Sequence, residues 1–364
     1  MIEILCLVLV GIALLSDVLL LIFWLTNFKE DTDELNELPE IDILVAARNE
    51  EANIGRCLDS LIALDYPKNK TNIWVGDDDS TDRTWSIIER YQKEYAQVHG
   101  VQIKERVTKG NGKANVLAQL ARLGAAEWLF VTDADIAVPK QWAKSMLGAA
   151  IANNLALVTG TSLVEGPNFI SRFQCIEWLY ATSMLKVVSD LGIQATTMGN
   201  NMAIRRVVYD EVGGYENIPF SVTEDLELFR QVKKRHETRN LFSANVLNMS
   251  SAQTSFSELI VQRKRWMRGA FQLPFPMLLI LIVQAVFFPA AIALLIVNPV
   301  VGGIAWLTKW LTKYGFQRSA ARKLRIKLSV VDSFIMDWVS VIFSMASLMY
   351  YLWPGKIKWK GRTY

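Results

Sequence analysis

The stretch LCLVLVGIALLSDVLLLIFWL, residues 5–25, contains a single charged residue, Asp17. A run of about 20 apolar residues is long enough to cross a bilayer as a helix. Its length, and the lack of a small-residue cleavage site after a short core, argue against a removable signal peptide. The chain has 364 residues and is 51% apolar, and the apolar excess is concentrated in this run and in residues 273–308 and 329–353. Residues 28–272 have ordinary composition and are enough for one α/β domain with a real core. The chain therefore divides into an N-terminal anchor (1–27), an acidic linker (28–40), an enzyme-sized domain (41–256), an interfacial segment (257–272), a C-terminal transmembrane or interfacial region (273–353) and a basic tail (354–364).

Charge refines this layout. The net charge of +3 gives no reason to expect nucleic acid as a partner. The three cysteines, Cys6, Cys57 and Cys175, have neither paired nor metal-site spacing, which favours a reducing, cytoplasmic home for the domain. Seven Lys or Arg lie from Lys309 to Lys327, and four more follow Pro354. The positive-inside rule draws both groups to the cytoplasm. Two crossings in 273–308 followed by one in 329–353 would separate them. The sequence alone leaves the number of C-terminal crossings open.

Three segments of the central domain share one grammar. IDILVAARNEE (41–51), NIWVGDDDSTD (72–82) and AEWLFVTDADI (126–136) each run from an apolar strand into a polar, acidic loop and then a helical pattern. Strands alternating with helices predict a mostly parallel sheet covered on both faces, with ligands at the carboxyl ends of the strands. Those ends carry Arg48-Asn49-Glu50, Asp77-Asp78-Asp79 and Asp133-Ala134-Asp135. Ser80, Thr81 and Asp82 read as caps of the following helix. Three adjacent carboxylates repel one another unless something compensates them, so Asp77–Asp79 point to function.

Only two histidines occur, His99 in a polar inter-element stretch and His236 at a charged helix end, so a histidine-dependent triad is not expected. The machinery left is carboxylates, basic residues and a hard metal. A D-x-D such as Asp133/Asp135 can hold Mg²⁺ or Mn²⁺ through one carboxylate while a diphosphate supplies other ligands. KGNGKANVLA (109–118) offers Gly110 and Gly112 for close backbone approach and Lys113 for charge, which suits a phosphate contact or a flexible surface loop equally. In PFSVTEDLELFRQ (219–231), Glu224 and Asp225 open an amphipathic helix. Taken alone, they read as an acidic first turn complementing the helix dipole.

The motifs VAARNEE, DDDSTD, DAD, TED and QRKRW, in this order and spacing, resemble those of family 2 glycosyltransferases with the inverting GT-A fold. The likeness covers about residues 41–270 and is nearest to membrane-bound members, ceramide glucosyltransferase-like enzymes on one side and cellulose, hyaluronan and chitin synthases on the other. MGNNMAIRR (198–206) resembles the family's acceptor-side segment, and WKGRTY resembles a C-terminal ending of the first group. The resemblance implies a Rossmann-like nucleotide-sugar-binding domain between N- and C-terminal transmembrane helices, and a metal-dependent hexosyltransferase that moves a sugar from a UDP-sugar donor to a lipid acceptor. It assigns Arg48, Asn49, Glu50, Asp77, Asp78, Lys113 and Asp133 to the donor, Asp135 with Asp133 to the metal, and Asp225 with Glu224 beside it to general base catalysis. Gln262, Arg265 and Trp266 would contact the diphosphate and acceptor, leaving Arg263, Lys264 and Arg268 for lipid headgroups. Asp79 stands where many members have glycine. Two alternatives accompany this expectation: a processive β-glycan synthase, and an inactive scaffold that keeps the fold. The sequence assigns no role to Asp17, Asp332 and Asp337.

Overall fold

The computed structural model describes residues 2–30, 35, 37–270, 273–353, 358–359 and 362–363, with the backbone alone for Ile2, 268–270 and the last two pairs. Parts of the acidic linker, the end of the interfacial segment, most of the basic tail and the Arg268 side chain lie outside the described residues. The chain forms two compact units, one built on a sheet (residues 30–166, 196–253 and 355–364) and one of helices (1–29, 167–195 and 254–354).

In the sheet unit, β1 (Ile41–Ala47) pairs in parallel with both β2 (Thr71–Asp77) and β4 (Trp128–Asp133). Covered on both faces, β1 reads as a nearly unbroken apolar run. The exception is Asp42, fully buried, whose carboxylate accepts from Asn72 Nδ2, Trp74 Nε1, the Ala126 N–H and Arg206 at 2.7 Å. A buried charge this fully partnered pins the amino ends of β1 and β2 without an orphaned group.

Helices α2 (Ile54–Ile62), α3 (Thr84–Glu94) and α4 (Gly112–Ala121) make the crossovers, and β3 (Val98–Gln102) extends the edge. His99 lies in this strand, its ring 4.4 Å from that of Trp74, and not in an inter-element loop. Beyond β4 come α5 (Trp142–Ala152), β6 (Leu157–Thr159), β8 (Asn201–Arg205) and β9 (Thr238–Asn240). The seven-stranded order is β3-β2-β1-β4-β8-β6-β9, with β8 antiparallel to both its neighbours. A small second sheet orders β5 (Ile136–Ala137), β10 (Leu247–Ser251) and β7 (Thr161–Glu165). Helices α7 (Arg206–Glu211), α8 (Gly214–Asn217) and α9 (Glu224–Val232) complete the unit. The strand order reverses at β1, which places the crevice for a ligand at the carboxyl ends of β1, β2 and β4.

The helical unit holds α1 (Ile2–Thr26), α6 (Phe169–Asp190), α10 (Phe256–Ala270), α11 (Phe275–Val297), α12 (Pro299–Lys323) and α13 (Val330–Leu352). Helix α6, inside the stretch read as one domain over 41–256, packs with these helices. By length and apolarity, α1, α11 and α13 are each able to cross a membrane. Of the seven basic residues from Lys309 to Lys327, the first five belong to α12, and Lys309 is buried within the bundle.

Candidate active site

The carboxyl ends of β1 and β2 are stitched to each other. Asn49 and Asp79 both have φ in the left-handed region, +53° and +57°. Asparagine and aspartate tolerate that conformation better than other side chains with a Cβ. The left-handed backbone at Asp79 is a conformation that the glycine expected there from the motif resemblance would also adopt. Asn49 Oδ1 accepts from the Thr81 N–H, and its own N–H donates to Ser80 Oγ. The Glu50 N–H donates to Thr84 Oγ1, and Asn53 donates to the Glu50 carboxylate. Asp82 accepts from the Thr84 N–H at 2.9 Å and from the Glu51 N–H. The N-cap position of α3 is Arg83, with no side-chain capping bond, so Ser80, Thr81 and Asp82 do not cap the helix as expected from the sequence. Arg48 donates to the Asp78 carbonyl. Asp77 accepts from the Ser80 N–H through Oδ2, while its buried Oδ1 has no partner among the described residues. A buried carboxylate oxygen without a donor is costly unless a ligand supplies one. The five residues predicted for the donor at these two strand ends are therefore brought together.

A second cluster joins the loop before α4 to the start of α9. Lys113 is ion-paired with Asp133 and lies 3.5 Å from Glu224. Burial works against the Lys113 charge, but the carboxylates of Asp133, Glu224 and Asp225 outweigh it and raise its pKa. Asn111 caps α4 by accepting from the Ala114 N–H and donates its Nδ2 to Glu224 Oε2 at 2.6 Å. Glu224 is thereby buried and held from two sides. Thr223 occupies the N-cap position of α9, yet its side chain makes no capping bond.

Beside this pair, Asp225 accepts from the Gly199 N–H through Oδ2 at 2.7 Å and from its neighbour's N–H at Leu226 through Oδ1. Burial and the adjacent Glu224 charge raise the Asp225 pKa, against the opposing pull of Lys113 and the two N–H donors. Asn111 and Gly199 are the residues that motif reading passed over. The G-N-G sequence and the noted stretch 198–206 were the available signals, but neither indicates a partner in a distant helix.

Asp133 and Asp135 were the metal candidates. Asp133 already has a cation in Lys113. The Asp135 carboxylate accepts from Ser250 Oγ at 3.2 Å. Among the described residues no three His, Cys, Asp or Glu side chains converge as a ready-made metal cage. The arrangement fits a divalent cation held by one carboxylate, with the diphosphate and water completing its shell.

In the helical unit, Gln262, Arg265 and Trp266 lie on α10. Arg263 pairs with Glu177 and covers the Trp266 ring at 4.8 Å, and Trp178 approaches the same ring at 5.3 Å. Lys264 donates to the Trp353 carbonyl at 2.8 Å. Arg263 and Lys264 thus fasten α10 to α6 and α13, which corrects their assignment to lipid headgroups.

The model of the family described as glycosyl transferase family 21 matches residues 5–364. The chain is similar to the beta-monoglucosyldiacylglycerol synthase of Synechocystis sp., 28% identical over 64% of this chain and 48% of that protein. It is also similar to the enzyme of that name from Nostoc sp., 29% over 65% and 50%, and to the probable glycosyltransferase YdaM of Bacillus subtilis, 28% over 67% and 58%. The chain spans about half the length of the curated relatives it matches. Among solved structures it resembles the mannosyltransferase PcManGT from Pyrobaculum calidifontis in complex with GDP-Man and Mn²⁺. The TM-score is 0.62 at 17% identity, covering 97% of this chain and 99% of that one, which shows a shared GT-A fold. The resemblance drawn from the motifs, to membrane glycosyltransferases, is borne out, and the family number is 21: the chain belongs to glycosyl transferase family 21.

Proposed function

We propose that this protein is an inverting glycosyltransferase that moves one sugar from a UDP-sugar to a hydroxyl of a membrane lipid. Glucose and diacylglycerol are the first substrates to test, because they are in the names of the relatives matched. The observation that carries the reading is Asp225, a carboxylate oriented by two backbone N–H groups and raised in pKa by burial and Glu224. A general base needs a fixed direction and a pKa nearer to the working pH than an exposed aspartate has.

In the reaction, the Asp225 carboxylate takes the proton of the acceptor hydroxyl as that oxygen forms its bond to the anomeric carbon. The bond from the anomeric carbon to the diphosphate oxygen breaks, and UDP leaves with the electron pair. One in-line displacement converts an α-linked donor into a β-linked product. Lys113, held charged by its carboxylates, stands ready to receive a phosphate oxygen. Asp77 Oδ1 offers an acceptor for a donor group of the nucleotide. A divalent cation carried by Asp135, when bound, would neutralise charge building on the diphosphate. For Gln262, Arg265 and Trp266 we propose the diphosphate and acceptor roles on the motif alone. The catalytic domain is taken to be cytoplasmic, where nucleotide sugars are found.

The test supplies the protein in native-lipid nanodiscs with UDP-Glc, UDP-Gal or UDP-GlcNAc and Mg²⁺ or Mn²⁺, followed by mass spectrometry of organic and aqueous extracts. One lipid gaining one sugar supports the reading. A ladder of water-soluble oligomers would replace it with a processive synthase, and the absence of UDP release with every donor would replace it with an inactive scaffold.

A further inference from the structure

Composition and packing disagree about which helices of the helical unit cross a membrane. By apolarity α1, α11 and α13 are able to do so and α12 is not, because α12 carries Lys309, Lys313 and a basic last turn. The packing of α12 points the other way. Asn298, at its start, donates to Glu3 Oε1; Lys309, midway, pairs with Asp17 at 2.7 Å. Trp24 Nε1 donates to Ser319 Oγ, and Lys323 at its end lies 3.8 Å from the Phe28 ring centroid. Helix α12 therefore runs parallel to α1 along its full length and ends where α1 ends. Its 25 residues, at about 1.5 Å each, exceed the ~30 Å apolar thickness of a bilayer.

Its charges are neutralised inside the bundle. Lys309 also donates to Gln284 Oε1 of α11, and Gln284 Nε2 donates to Asp17 Oδ1, closing a ring of three polar side chains on three helices. Lys313, one turn on, pairs with Asp337 at 2.6 Å, and both are largely shielded from solvent. The apolar Ile304, Leu307 and Leu311 of α12 face outward. Charged residues at membrane depth are tolerated when they face the bundle interior and pair with each other. The low apolarity of α12 thus reflects an inward polar stripe and does not prevent it from spanning.

The two ends of α13 meet the opposite constraint. Six residues separate its start from the end of α12, and Ser333 Oγ donates to Gln317 near that end. Its last turn is tied to α10, through Lys264 on the Trp353 carbonyl. Helix α10 leads into α11, which runs antiparallel to α1 and so starts on the face where α1 ends. Both ends of α13 belong to that face. Val331, Phe334, Trp338, Ile342, Met345 and Met349 are exposed along one stripe at three- to four-residue spacing, the pattern of a helix lying in a lipid interface.

We propose that the bilayer is crossed by α1, α11 and α12, and that α13 lies in the lipid interface on the face where α1 and α12 end. This arrangement brings the basic residues from Arg318 to Lys327 and the four of the tail to one face, as the positive-inside rule requires. The inference does not rest on the transferase reading and is tested without substrate. Val300→Cys and Lys327→Cys, both at exposed positions, are made separately in a chain carrying a C-terminal tag. Sealed vesicles of each orientation are treated with a membrane-impermeant maleimide or with protease, and labelling is read against the parent chain with its three native cysteines. The expected result is that the Val300→Cys thiol reacts from one side only, while the Lys327→Cys thiol and the tag are accessible only from the other. Reaction of both introduced thiols from the same side would show that α12 does not cross. The tag appearing on the side from which the Val300→Cys thiol reacts would show that α13 does. Either outcome overturns the proposal, and the tag reports even where a cysteine variant fails to accumulate.

Discussion

The backbone N–H of Gly199 donates to Oδ2 of Asp225 at 2.7 Å, tying the loop before β8 to the first turn of α9. A Cβ built on Gly199 would lie 2.5 Å from the Asp225 Cβ and 2.7 Å from Oδ2. Gly199→Ala therefore displaces the carboxylate without removing its donor. Misplacing a reacting group by about 1 Å costs on the order of 100-fold in rate. The expected outcome is a fall of that order in kcat with the donor KM little changed, measured by UDP release. An unchanged kcat would detach Asp225 from the chemistry.

Burial and, after it, the Glu224 charge raise the pKa of Asp225, so activity should show an acid limb above the ordinary aspartate range. The base works deprotonated, and activity falls as pH drops through the raised value. Glu224→Gln removes a raising charge and should move that limb to lower pH, as read from a kcat/KM profile of each protein. The stability of the fold has the opposite sign. A carboxyl raised on folding contributes stability that is present below the unfolded pKa and is lost as pH rises through the folded one.

Lys113 serves two carboxylates, Asp133 and Glu224. Lys113→Met leaves both without their cation and removes the proposed phosphate contact. Charge-assisted hydrogen bonds contribute about 1.5–3 kcal/mol, so donor binding should weaken roughly 10- to 100-fold. Calorimetric titration with UDP checks this, and equal affinity in both proteins would remove Lys113 from the donor site.

Within the helical unit, Asp17 and Lys309 are each almost fully buried and paired at 2.7 Å. Removing one partner of a buried pair is destabilising by about 3–5 kcal/mol, whereas replacing both with apolar groups is often neutral. Asp17→Leu and Lys309→Met singly should lower the melting temperature in detergent, and the double variant should recover most of the loss. Additive losses would mean that the two charges do not depend on each other.

The alternation of apolar runs and acidic loops was enough to predict the parallel strands and the residues at their carboxyl ends, because a twice-covered strand must be apolar and must end in polar ligand-facing positions. The same grammar could not show Asn111 holding Glu224, since that bond joins residues more than a hundred positions apart. It also assigned Arg263 and Lys264 to lipid, where the fold uses them to fasten α10. The inward stripe of α12 was hidden for a related reason: a lysine lowers the apolarity that marks a spanning helix until the aspartate that neutralises it is found on another helix. Local chemistry was legible, and long-range pairing was not.

The most direct measurement supplies UDP-glucose labelled with ¹³C at the anomeric carbon, and diacylglycerol, to nanodisc-embedded protein and to its Asp225→Asn variant. The lipid extract is then examined by NMR for the one-bond C1–H1 coupling. Wild-type protein should give one β-linked hexose per lipid, and the variant should still bind UDP yet form at least ~100-fold less product. An α-linked product, or full activity in the variant, would contradict Asp225 acting as the base of an inverting transfer.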